Sequence, residues 1–103
     1  MIEDLAARLA DLAARGQTTS YGILARDLGL TGPATIARLT AALEALMETD
    51  AAAGRPLRAA LVTQRGGTLP AQGFFDRAAA LGLDTSDPAA MVADHRRRLF
   101  TGA

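Results

Sequence analysis

The run Thr18-Thr19-Ser20-Tyr21-Gly22-Ile23-Leu24-Ala25-Arg26-Asp27-Leu28-Gly29, followed by Thr31-Gly32-Pro33 and an alanine-rich stretch to Leu46, leaves this chain few folds to choose from. Hydroxyl side chains able to cap a helix precede Tyr21; Ile23, Leu24 and Leu28 form a short apolar pattern that stops at Gly29; Pro33 suits the first turn of a second helix. Two helices joined by a tight turn are the grammar of a helix-turn-helix. The second helix is expected over 33–52, with Ile36, Leu39, Leu43, Leu46 and Met47 inward and Thr35, Arg38, Ala42 and Ala45 on or near its outer face. Glu44, Glu48 and Asp50 crowd its C-terminal half, where negative charge opposes the macrodipole. Only the N-terminal half is suited to phosphate.

The flanking segments extend this unit. Ile2, Leu5, Leu9 and Leu12 recur at helical spacing, with Asp4–Arg8 and Asp11–Arg15 as i,i+4 pairs and Gly16 as a stop. So narrow a stripe fits a coiled-coil seam or a globular core, and a length under three heptads favours the core. Leu57 to Thr63 reads as a strand, Gln64-Arg65-Gly66-Gly67 as a turn and Thr68-Leu69-Pro70 as a short return, so a wing is expected over 57–70. Pro70 would hold that return at an edge. A fourth helix runs from Phe74 to Leu81 and stops at Gly82, and Asp87-Pro88 starts a fifth with Val92, His95 and Leu99 on one face. The expected fold is mainly α with a small β-hairpin, a winged-helix-like domain spanning 1–103 with additional C-terminal helices.

Composition narrows the functional classes. The 103 residues suffice for one hydrophobic core. Eleven basic and eleven acidic residues cancel, so whole-chain charge advertises neither nucleic acid nor a membrane surface. All the bases are Arg, which suits bidentate phosphate contacts and equally suits an alanine-rich composition set at the genomic level. The absence of Cys removes disulfides, thiolate metal sites and a thiol nucleophile. With no apolar run of spanning length and a charged N-terminal stretch, the expected location is the cytoplasm, with no membrane partner.

At Gly16-Gln17-Thr18-Thr19-Ser20-Tyr21-Gly22-Ile23-Leu24-Ala25 the sequence resembles the winged-helix domain of methylated-DNA-protein-cysteine methyltransferases and alkyltransferase-like proteins. Ile36-Ala37-Arg38 is similar to the Val-Gly-Arg of that family's recognition helix, and Gly73-Phe74 to its Gly-Tyr after the wing. The resemblance covers about residues 16 to 82. It implies that Tyr21 presses on a target phosphate and that Arg38 enters the duplex. The family's Pro-Cys-His-Arg motif falls near Arg58-Ala59-Ala60-Leu61, so no acceptor thiol is present and no alkyl transfer is implied. About ten extra residues also separate recognition helix and strand.

Each candidate carries an ordinary alternative. Tyr21 would equally be half-buried with its hydroxyl bonded locally, and Arg38 a solvated charge. Arg58 and Arg65 flank the wing and fit either backbone phosphate or protection of a sheet edge. His95, the one histidine, has no partner set for a metal or a catalytic dyad and reads as structural; Arg96-Arg97-Arg98 complements a helix C-terminus. No carboxylate pair has the context of a shared proton, so the chain is expected to be no enzyme and to need no cofactor or metal. Two functions remain. The first is a nucleic-acid-binding module, probing DNA through Tyr21, Thr35, Arg38, Arg58 and Arg65. The alternative is a protein-interaction or self-associating module using the leucine stripe of the first helix or the Phe74-Phe75 region.

Overall fold

The computed structural model describes residues 2–102. Its elements run α1 (Leu5–Arg15), β1 (Thr19–Ser20), α2 (Tyr21–Asp27), α3 (Thr35–Ala52), a 3-10 turn (Arg58–Leu61), β2 (Val62–Thr63), α4 (Gln72–Ala80) and α5 (Pro88–Phe100). The chain is mainly helical. Its leucines, three of its four aromatics and its buried alanines join one core, to which α1 contributes Leu5, Leu9 and Leu12, α3 Leu39, Leu43 and Met47, and α4 Phe74 and Phe75, while Phe100 is exposed.

Local chemistry explains the helix ends. Ser20 Oγ accepts the N–H of Ile23 at 3.2 Å, satisfying one of the free donors of α2. Asp87 does the same for Ala90 at 3.1 Å, with Pro88 at the first helical position of α5. Gly16 ends α1 with φ at +64°, where glycine alone avoids a steric penalty. The expected Asp4–Arg8 pair does not form; Arg8 instead reaches Asp27 of α2 at 2.9 Å. Asp11–Arg15 forms at 3.1 Å.

Between α2 and α3 the connection is longer than a tight turn. Pro33 lies outside α3, because Ala34 takes a left-handed conformation (φ +59°) that a right-handed helix does not pass through. The first turn of α3 consequently overhangs the core. Ile36, expected inward, is 48% exposed, although it shares a face with buried Leu39.

The expected β-hairpin is replaced by a two-stranded parallel ladder, Thr19 opposite Val62 and Ser20 opposite Thr63. Residues 58–61 coil into a 3-10 turn in place of a strand. The reason lies in their backbone partners. His95 Nδ1 takes the N–H of Leu57 at 2.8 Å, Asp50 takes that of Arg58 at 3.0 Å, and Arg96 Nε donates to the carbonyl of Ala60 at 2.8 Å. Groups that a sheet would use are already committed, and Ala59 to Val62 are buried without the alternation of a half-exposed strand. The segment after β2 is a loop closed by Gln64 N–H on the carbonyl of Leu69 at 2.9 Å. Residues 68–70, expected as a return strand that Pro70 holds at an edge, form no strand, and Pro70 is buried.

Candidate functional site

The N-terminal end of α3 presents Thr35 and Arg38 on one turn, close to the linker. Thr35 Oγ1 donates to the carbonyl of Gly32 at 2.7 Å, and Arg38 Nη2 donates to that of Thr31 at 2.7 Å. Both side chains brace the linker, and Arg38 remains exposed. Arg65 is exposed in the loop after β2, with no ion pair among the described residues.

Tyr21 and Arg58 are placed differently. Tyr21 is half-buried, and its hydroxyl accepts the N–H of Ala71 at 3.1 Å. Burial raises the phenol pKa above its ordinary value, only partly offset by that bond. Beside Tyr21 and Phe74 lies a hollow of about 20 Å³. That is a water-sized space, far below the volume of a nucleobase extruded into a pocket. Arg58 is tied to Asp50, with Nη2 at 2.8 Å from Oδ1 and Nε at 3.1 Å from both carboxylate oxygens. Asp50 is fully buried near the C-terminal end of α3. Twelve positions separate it from Arg38, roughly 18 Å along a helix axis. Arg38 and Arg58 therefore belong to opposite ends of α3.

Ion pairing absorbs most of the remaining positive charge. Arg77 pairs with Glu48 at 2.9 Å, Arg97 and Arg98 with Asp94, and Arg55 lies 3.8 Å from Asp50. Arg26 is 3.9 Å from Asp27. Arg96, expected to complement a helix terminus, is committed to the carbonyl of Ala60, and burial lowers its pKa. Among the described residues only Arg38, Arg65 and Arg96 have no carboxylate within 4.0 Å.

The two apolar surfaces expected to dock a partner are also committed. Leu5, Leu9 and Leu12 are buried, as are Phe74 and Phe75, whose rings meet edge to face at 5.1 Å. The open apolar feature lies elsewhere. A groove of about 800 Å³ runs between the start of α1 and α3, with Ile2, Leu28, Leu30 and Leu46 half-buried along it. On the α3 side its rim is Arg38, Ala41, Ala45 and Thr49, all exposed. Glu3 and Asp4 lie on the α1 side.

No protein-family model, curated protein or solved structure matches the chain. No group of three metal-ligating side chains and no helix long and apolar enough to cross a membrane occurs among the described residues.

Two features here are not legible in the sequence pattern. By position Asp50 reads as one more acid opposing the macrodipole of α3; its spacing to Arg58 across Pro56 is the available signal. The groove had no comparable signal, because it depends on Leu28 and Leu30 of a linker meeting the start of α1.

Proposed function

We propose that this chain is a non-catalytic protein-docking module that receives an apolar helical segment in the groove between α1 and α3. The observation that carries this reading is the groove itself, an open concave surface with an apolar lining and an alanine rim. Alanine on the rim lets a helix approach closely, and concave apolar surfaces are where partner helices dock. The pairing of most arginines with carboxylates supports the same reading, since paired arginines have less to gain from phosphate.

DNA binding is the second reading, and Arg38 and Arg65 favour it, having no carboxylate partner among the described residues. The order of helix, strand, two helices and strand also supports a winged-helix-like relationship. The experiment places a photo-crosslinking amino acid at Ala45 on the groove rim or at exposed Ala93 on α5, alongside titration of labelled duplex DNA across a salt series. Docking predicts adducts from Ala45 alone, mapping by mass spectrometry to one protein segment with helical apolar periodicity. Salt-steep DNA binding that Arg38→Ala weakens, with no adduct from Ala45, would overturn it.

A further inference from the structure

Resting on the docking reading, we propose that the partner is a second copy of this chain seated on the α3 rim of the groove, its α3 packed antiparallel against α3 with the two helices crossing at position 43. The exposed residues of α3 beyond Ile36 are Ala37, Arg38, Ala41, Ala45, Glu48, Thr49 and Ala52. Any helical face reads similarly in both directions, so the spacing alone decides nothing. The chemistry at those positions does. Antiparallel alignment about position 43 sets Arg38 opposite Glu48 of the second copy, Ala41 opposite Ala45, and Ala37 opposite Thr49, each contact occurring twice by two-fold symmetry.

Charge selects this arrangement over the others. Arg38 is the one base on α3 and stands in its first turn, whereas Glu48 stands in its last two turns, so each opposes the dipole of its own helix. An antiparallel copy brings each charge to a group of opposite sign and to the favourable end of the neighbouring dipole. A parallel copy would set Arg on Arg and Glu on Glu. Both side chains keep free valence for the contact. Arg77 occupies Oε2 of Glu48 and leaves Oε1, while Arg38 uses Nη2 for Thr31 and leaves Nε and Nη1. Ala41 and Ala45 at the centre let the axes approach to roughly 8 Å, the lower end of helix packing distances. The α3 part of the groove rim, Arg38, Ala41, Ala45 and Thr49, belongs to this same exposed set. An 18-residue helix spans roughly 27 Å, so α3 with its flanking groove wall makes an interface at or below the roughly 800 Å² per partner of a standard complex. The association is accordingly weak and concentration-dependent.

Sedimentation equilibrium on the full chain tests this with Arg38→Glu and Glu48→Arg, each alone and mixed in equal amounts. Wild type is expected to dimerise, and each single reversal to weaken dimerisation by about tenfold or more, since two exposed ion pairs become two repulsions. The mixture is expected to associate more tightly than either variant alone, because one chain then offers two acids and the other two arginines. Both positions are exposed, and circular dichroism of each variant checks that it remains folded. A wild type that stays monomeric at millimolar concentration, or a mixture no tighter than its components, overturns the proposal. A monomeric wild type whose Ala45 crosslinks reach a different protein overturns the second-copy partner and leaves the docking reading standing. An Ala45 adduct of twice the monomer mass supports both, and Arg38-dependent, salt-steep DNA binding with no adduct removes both.

Discussion

His95 on α5 accepts the backbone N–H of Leu57 through Nδ1 at 2.8 Å, in a buried setting that requires the imidazole to be neutral at that nitrogen. Burial lowers the pKa of His95 below the ordinary 6.5, the Arg98 charge lowers it further, and Asp94 opposes both. The pair closes the start of the 3-10 turn against α5, and Arg96 closes its end by donating to Ala60.

A pH dependence of stability follows. Because the folded pKa lies below the unfolded one, the unfolded chain takes up a proton first as pH falls. The stabilisation is present above 6.5 and is lost as pH falls from there through the folded pKa. Urea midpoints for wild type are expected to drop across this window. In His95→Asn, which keeps an acceptor that cannot be protonated, that component should be absent. An unchanged slope in His95→Asn would remove His95 as its source. His95→Ala should cost about 1–3 kcal/mol at pH 8, the penalty for an unpaired buried N–H.

Asp50 and Arg58 make the second prediction. Asp50 is fully buried and accepts both the backbone N–H and the guanidinium of Arg58. Arg58→Ala leaves buried Asp50 only the Arg58 backbone N–H and Arg55 at 3.8 Å, and Asp50→Ala leaves that N–H and a half-buried guanidinium without their partner, so each is expected to cost about 1–3 kcal/mol in urea denaturation. Asp50→Leu combined with Arg58→Met should lose less than the sum of the single changes. An Arg58→Ala variant of wild-type stability would release Arg58 for a role on the surface.

The difference between what the sequence disclosed and what it hid follows from the range of the interactions. The ends of α1, α2 and α5 were legible because Gly16, Ser20 and Asp87-Pro88 act on backbone groups within four residues. Residues 57–61 were not, because their conformation is set from α3 by Asp50 and from α5 by His95 and Arg96, the α5 pair more than thirty positions away. Periodicity groups Ile36 with Leu39 and Leu43 on one face of α3 and so predicts it inward, yet Ile36 is exposed, because periodicity does not report where the core stops. For the site, the sequence singled out Arg38 and left undisclosed the groove that Arg38 borders.

Ala34 provides the third prediction. It is the one non-glycine residue with positive φ among the described residues. The left-handed conformation costs an alanine about 1–2 kcal/mol, against the roughly 0.5–1 kcal/mol of chain entropy that a glycine loses. Ala34→Gly is therefore expected to raise stability by about 0.5 kcal/mol, and Ala37→Gly, inside α3, to lower it by about 0.5–1 kcal/mol. A loss in Ala34→Gly as large as that in Ala37→Gly would mean that α3 begins before Thr35 in solution.

Tyr21 separates a bracing role from a phosphate-contacting one. Its hydroxyl accepts the N–H of Ala71, joining the start of α2 to the residue that precedes α4. Tyr21→Phe leaves this N–H unpaired and should cost about 1–2 kcal/mol, with self-association unchanged, because Tyr21 lies outside the α3 groove. Burial raises the phenol pKa, so its absorbance titration should have a midpoint above 10 in the folded protein and return towards 10 in urea. The sign of the linkage is the reverse of that for His95. Stability from neutral Tyr21 is present below the unfolded pKa and is lost as pH rises through the folded one. A variant of unchanged stability that loses affinity for duplex DNA would instead assign the hydroxyl to phosphate.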